Sequence, residues 1–316
     1  MAADVGADAV TPPLGKLDVA LRERRFIVTA EVTSPIGANA ASLRRRARLL
    51  SGHVVAVNVP DGQAATAHLG PLAAARLLLD EGVEPVLTLQ CRDRNRLALQ
   101  SELIGAAALG VHNVLCLTGD APPPGAAFKP VFDLDSVGLL QAASGLAVGL
   151  SIDGAEFRSP ARLVLGAAAH PLGPTEYERI ERMRLKIEAG AQFFQTQYVF
   201  EVDAFARWMY ELRTAGLHER AAILATVGPL RSPRVMGFLR ALPGVRVPAE
   251  VERRFNGLSG DVFAEESVRL CAETARALAD IPGVAGIHII APYWEDQIPQ
   301  ILTMAGLAGR TMRATS

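Results

Sequence analysis

Short runs of consecutive apolar residues alternate along the chain with longer stretches whose apolar positions recur every three or four residues. Eight runs are of β type: RFIVTAE (25–31), HVVAVN (53–58), EPVLTLQ (84–90), NVLCLT (113–118), ARLVLGAA (161–168), AQFFQTQ (191–197), AAILATV (221–227) and VAGIHII (284–290). Most are continuously apolar, the pattern of parallel strands covered on both faces. The stretches NAASLRRRARLLS (39–51), GPLAAARLLLDEG (70–82), RNRLALQSELIGAAALG (94–110) and TEYERIERMRLKIEAG (175–190) read as helices. The last three end on Gly82, Gly110 and Gly190, where glycine accepts the left-handed backbone that closes a helix, and Thr175 is a candidate cap.

Eight β runs alternating with helices predict an α/β fold of parallel βα units, a closed (β/α)8 TIM barrel. An open doubly wound sheet is the alternative, but no GxGxxG follows the first run. The rhythm stretches after strands four and seven, where APPPGAAFKPVFDLDS (121–136) and LPGVRVPAEVERRFNGLSGD (242–261) read as insertions that shape a site. No linker divides the chain. The expected organisation is one barrel domain over 16–308, between a loose tail at 1–15 and a second at 309–316.

Charge and composition narrow the function. Half the residues are apolar and the net charge is −1, so no global field favours nucleic acid or a membrane surface. The first 15 residues carry no Lys or Arg, and no apolar run reaches the roughly 18 residues needed to cross a bilayer, so a cytoplasmic location is expected. Cys91, Cys116 and Cys271 are widely spaced and read as small core residues, not as disulfides or metal ligands.

Barrel sites form at the C-terminal ends of strands. There the runs lead to Glu31, Asn58 with Asp61, Gln90 with Arg92 and Asp93, Asp120, His170, Gln197, and Tyr293, Trp294 and Glu295. Each has a plain structural reading as well. Asp120 can cap a turn before a Pro-rich loop, Glu31 can be a solvated carboxylate, and Arg92 and Asp93 can form a local ion pair. Their shared placement at strand ends is what points to a site.

Taken together these residues resemble the methylenetetrahydrofolate reductase family. The resemblance runs from about Phe26 to Ile301 and is carried by TAEVTSP, CRDRNRLALQSELIGA, LCLTGDAPP, GAAAHPLG, RLKIEAGAQFFQTQYVFE, GVRVPAEV and GVAGIHIIAPYWE. It implies a (β/α)8 flavoprotein that reduces 5,10-methylenetetrahydrofolate to 5-methyltetrahydrofolate, with NAD(P)H reducing the flavin, in one-carbon metabolism and methionine biosynthesis. FAD is the implied cofactor, with FMN or direct flavin-free transfer from NADH as alternatives. A non-catalytic folate- or flavin-binding subunit of a redox complex is a further alternative, and a homo-oligomer is a possible assembly. No metal is implied. Glu31 matches the family's general acid, and Asp120 the carboxylate near flavin and pterin. Gln197, with neighbouring Tyr198, matches the substrate-holding position. Asn58, Thr88, Arg92, Asp93, Thr118, Gly119, Asp120, Ala168, His170 and Lys186 match cofactor-contacting positions. Three positions depart from the pattern: Thr118 replaces an arginine found in some members, Thr88 a histidine and Arg179 a carboxylate.

Overall fold

A computed structural model describes residues 12–242 and 244–310. Eight parallel strands close into a barrel in chain order: β1 (Ile27–Glu31), β2 (Ala56–Val59), β3 (Pro85–Gln90), β4 (Asn113–Leu117), β5 (Val164–Ala169), β6 (Phe193–Tyr198), β7 (Ala222–Val227) and β8 (Gly286–Ile290). Closure is by β8 against β1, with Glu31 opposite Ile290. Every β run of the sequence reading overlaps one strand, and β2, β5 and β6 each run one residue past it. Several runs began early, because apolar residues such as Val55 pack where the chain enters the barrel and not within the ladder.

The outer ring comprises α1 (Lys16–Arg22), α2 (Ala40–Leu50), α3 (Pro71–Asp80), α4 (Arg96–Ala108), α5 (Ser136–Ala147), α6 (Arg182–Glu188), α7 (Val202–Thr214), α8 (Leu217–Arg220), α9 (Pro233–Arg240), α10 (Ala249–Phe255), α11 (Gly260–Ala279) and α12 (Ile298–Met304). Local chemistry sets several starts. Asn39 accepts from the Ser42 amide and Asn95 from the Ala98 amide, satisfying donors that a helix start leaves open. The Thr175 hydroxyl accepts from the Glu178 amide at 3.2 Å, so it caps the segment leading into α6. The stretch read as one helix from 175 is split, with a π-helical turn at Tyr177–Glu181 before α6.

Side chains alternate across each strand, so every second residue faces the barrel axis. The lowest axial layer is apolar. Ile27, Ala56, Val86, Leu115, Val164, Phe193 and Leu224 pack there, and Leu17 of α1 stoppers the bottom. Burying Leu17 fully contributes roughly 2 kcal/mol. Glu84 holds the stopper by accepting from the Lys16 and Leu17 amides, and it also accepts from Asn113 Nδ2. The layer above is polar and leads to the mouth.

Both predicted insertions are present. The one after β4 is a loop that packs beside Arg92 and enters α5. The one after β7 carries α10, which joins α9 and the start of α11 over a small apolar cluster including Leu230, Met236, Val245, Val251 and Phe263. No described helix is long and apolar enough to cross a membrane. Of the expected tails, 1–11 and 311–316 lie outside the described residues. Within them, Leu14 donates its amide to Asp18 Oδ2, so the N-terminal segment is tied to α1 before residue 16.

Candidate active site at the barrel mouth

A cleft of about 1060 Å³ opens at the C-terminal ends of the strands. Of the residues singled out in the sequence, Asp61, Gln90, Arg92, Thr118, Gly119, Asp120, Ala168, His170, Lys186 and Gln197 line it. Asn58, Thr88, Asp93 and Tyr198 do not, and Glu31 meets it through Gln63, whose Nε2 donates to Glu31 Oε1 at 3.2 Å.

Glu31 ends β1, half-buried and pointing along the axis. Loss of water around it, and secondarily the negative charge of Glu295, push its carboxyl from 4.5 up to about 8. A carboxyl so placed carries its proton at neutral pH and can donate it. Asp120 differs. It is exposed at the far wall, with no hydrogen bond to its carboxylate among the described residues. It follows Gly119, whose φ of +88° and tight surroundings admit no side chain: a Cβ there would sit 2.8 Å from Gln90 Oε1.

The opposite wall is cationic. Lys186 is buried at the cleft floor and donates to the Ala168 carbonyl at 2.7 Å. Burial, then the nearby Arg182 charge, lower its pKa from 10.5 to about 8. Burial and the Lys186 charge also lower the His170 pKa. Arg246 adds an exposed cation at the rim.

Arg92 and Asp93 form the local ion pair that the sequence allowed. Arg92 Nε and Nη2 bond both carboxylate oxygens at 2.8 and 2.9 Å. Nη2 also reaches the Gly62 carbonyl, and the guanidinium lies 5.4 Å from the Phe128 ring, so Arg92 ties the loops after β2 and β4 together. Thr118 uses its hydroxyl to accept from the Ser136 amide at the start of α5. Arg179 turns away from the cleft to Glu211 and the Gly173 carbonyl. Tyr198 points sideways, donating to the Ile290 carbonyl at 3.4 Å. Thr88 faces the axis with its hydroxyl buried and unpartnered.

Beneath Glu31 and Gln197 lies a layer of which the sequence reading named only Asn58, and as a cofactor contact. Asn58 and Gln195 exchange reciprocal amide hydrogen bonds at 2.7 and 3.0 Å. His288 Nδ1 meets the Thr29 hydroxyl at 2.9 Å, and burial lowers the His288 pKa to about 3, leaving the ring neutral. The missed signal was parity. Thr29 and Gln195 stand two residues before Glu31 and Gln197, on the same axial face of otherwise apolar strands. No cluster of three or more His, Cys, Asp or Glu that could hold a metal ion occurs among the described residues.

Comparison with known proteins identifies the family. A family model described as methylenetetrahydrofolate reductase matches residues 16–306. A probable methylenetetrahydrofolate reductase (NADPH) from Caenorhabditis elegans is 24% identical over 240 residues, covering 74% of this chain and 34% of that protein. The 5,10-methylenetetrahydrofolate reductase of Salmonella typhimurium is 23% identical over 187 residues, covering 59% and 58% of the two chains. The chain thus matches only about a third of the first relative's length and less than two thirds of the second's. Among solved structures, an uncharacterised protein from Clostridium thermocellum, described as binding two copies of 5-methyl-5,6,7,8-tetrahydrofolic acid, superposes with a TM-score of 0.68. It is 16% identical and covers 92% of this chain and 97% of its own, a likeness of fold. The match across nearly the whole barrel shows that this chain belongs to the methylenetetrahydrofolate reductase family.

Proposed function

We propose that the chain reduces 5,10-methylenetetrahydrofolate to 5-methyltetrahydrofolate, with Glu31 as general acid. The observation that carries this reading is a half-buried carboxyl at the end of β1, pushed up to about 8 by burial and joined through Gln63 to a cleft lined by Asp120 and Gln197. Opening the five-membered methylene ring breaks a carbon–nitrogen bond, and the departing nitrogen takes a proton. Glu31 holds one at its carboxyl under conditions where an ordinary glutamate has none. The remaining iminium is a cation, and the Asp120 carboxylate favours it electrostatically. The Gln197 amide can donate and accept, which suits the mixed edge of a pterin.

The lining fits a flavin. One wall offers Leu117, Ala168 and Leu172 as apolar surface for a flat ring, and Gln90 offers polar contact at its edge. Lys186, Arg182 and His170 gather where a phosphate would be neutralised. When bound, the flavin would supply the hydride that converts the iminium carbon to a methyl group, after reduction by NAD(P)H. A specific observation favours a second reading, direct transfer from NADH without flavin: the Thr118 hydroxyl and the Arg179 guanidinium, at positions that touch flavin in other members, are engaged elsewhere.

Turnover of Glu31→Gln with methylenetetrahydrofolate tests the acid. It should fall by about 10²-fold or more with the fold intact, and near-normal turnover overturns the assignment. The absorption spectrum of the purified protein, before and after denaturation, separates the flavin reading from the direct one.

A further inference from the structure

The loop after β2 is pinned at its start and strained at its tip. Asp61 opens it. Both Asp61 carboxylate oxygens accept from Arg94, at 2.6 and 3.3 Å, and Oδ2 also accepts from the Gln90 amide at 3.1 Å. Gly62 follows at a φ of +54°, with its carbonyl held by Arg92 Nη2 at 3.1 Å, and a Cβ there would stand 2.6 Å from that nitrogen. The chain then makes a short 3-10 turn over Gln63–Ala65, in which Ala64 and Ala65 take φ values of +50° and +55°. Left-handed backbone is costly for alanine. Ala64 is exposed, so no buried contact of its side chain offsets that cost. What the turn achieves is to aim Gln63 at the end of β1. Gln63 Nε2 reaches Glu31 Oε1 at 3.2 Å, and no other donor meets that carboxyl among the described residues.

We propose that Gln63 is a positioning residue that fixes which oxygen of Glu31 carries the acid proton. The role rests on the reading of Glu31 as the acid. An amide nitrogen offers two N–H donors and no acceptor, so the oxygen it touches is the carbonyl oxygen of the protonated carboxyl. The proton is then confined to Oε2, the oxygen left free to meet a departing nitrogen. Once the proton leaves, the charge spreads over both oxygens, and the contact with Gln63 becomes a stronger, charge-assisted hydrogen bond. An interaction that strengthens as the proton departs favours the transition state over the bound substrate. The ionisable groups on the neighbouring elements are engaged elsewhere. Glu295 after β8 accepts from the Thr33 amide, His288 of β8 meets the Thr29 hydroxyl, and Tyr198 of β6 donates to the Ile290 carbonyl.

The experiment pairs a pH titration of Glu31 with steady-state turnover of methylenetetrahydrofolate, both on the full chain. The titration is followed by ¹³C-carboxyl NMR without substrate, and the Glu31 signal is assigned by its loss in Glu31→Gln. Gln63→Met keeps the length of the side chain and removes the donor. Its Glu31 midpoint should rise by about half a pH unit, because a donated hydrogen bond favours the charged form. Its kcat should fall by about 10-fold with KM nearly unchanged, and the alkaline limb of the pH profile should move up with the midpoint. Gln63→Asn, which keeps the amide but withdraws it by one carbon, should behave in the same way. A midpoint that stays in place or falls overturns the proposal, as does a loss confined to KM, and either variant decides it if the other fails to fold. Retained turnover in Glu31→Gln would instead refute the acid role, while the titration would still decide the contact.

Discussion

Replacing Glu31 with Gln tests the electrostatics of the barrel mouth without any assay of turnover. The folded chain holds this carboxyl near 8, against 4.5 for an ordinary glutamate. At about 1.4 kcal/mol per pH unit, the gap corresponds to roughly 5 kcal/mol of preference for the neutral form. The folded state binds the proton more tightly than the unfolded chain. The resulting stability is therefore complete below 4.5 and is lost as pH rises through 8. Between pH 6 and pH 9 the loss integrates to about 2.5 kcal/mol, and the partial water access of a half-buried group trims it to about 1.5–2.5 kcal/mol. Gln keeps the volume of the side chain and an oxygen for Gln63, and removes the titration. Urea unfolding of both proteins at pH 6 and pH 9 isolates the effect, because Lys186 and every other titrating group is common to the two. The wild-type chain should lose about 2 kcal/mol more than Glu31→Gln across that interval. Parallel stability curves would refute the claim that the folded state raises this carboxyl.

Three other outcomes follow from the geometry. Asn58→Leu strands the buried Gln195 amide and should cost about 2–3 kcal/mol in chemical denaturation, whereas a neutral result would mean that water replaces the lost partner. Gly119→Ala forces a side chain into a φ of +88° against Gln90 and should cost about 1–3 kcal/mol, read by thermal unfolding. Lys186 loses its charge as pH rises through about 8, so FMN affinity, followed by fluorescence quenching, should weaken above that pH; Lys186→Met should bind weakly at every pH, with the dependence abolished.

The eight β runs, four of the helical stretches between them and both insertions were legible in the sequence, because parallel strands buried on two faces leave long apolar runs and helices announce their ends with Asn caps and Gly stops. The convergence of Glu31, Asp120, His170 and Gln197 on one face also followed from the sequence, since strand direction alone sends every strand's C-terminal end to the same mouth. What each of these side chains does there depends on neighbours distant in the chain. Arg92 is taken up by Asp93 and Gly62, Thr118 by Ser136 and Arg179 by Glu211, and no spacing rule says which donor meets which acceptor. The axial layer of Thr29, Asn58, Gln195 and His288 became visible only on closure, when residues up to 259 positions apart met across the barrel. The raised pKa of Glu31 has the same origin. A glutamate at a strand end is ordinary in sequence, and only burial in the closed barrel, with the Glu295 charge second, pushes its carboxyl up to about 8.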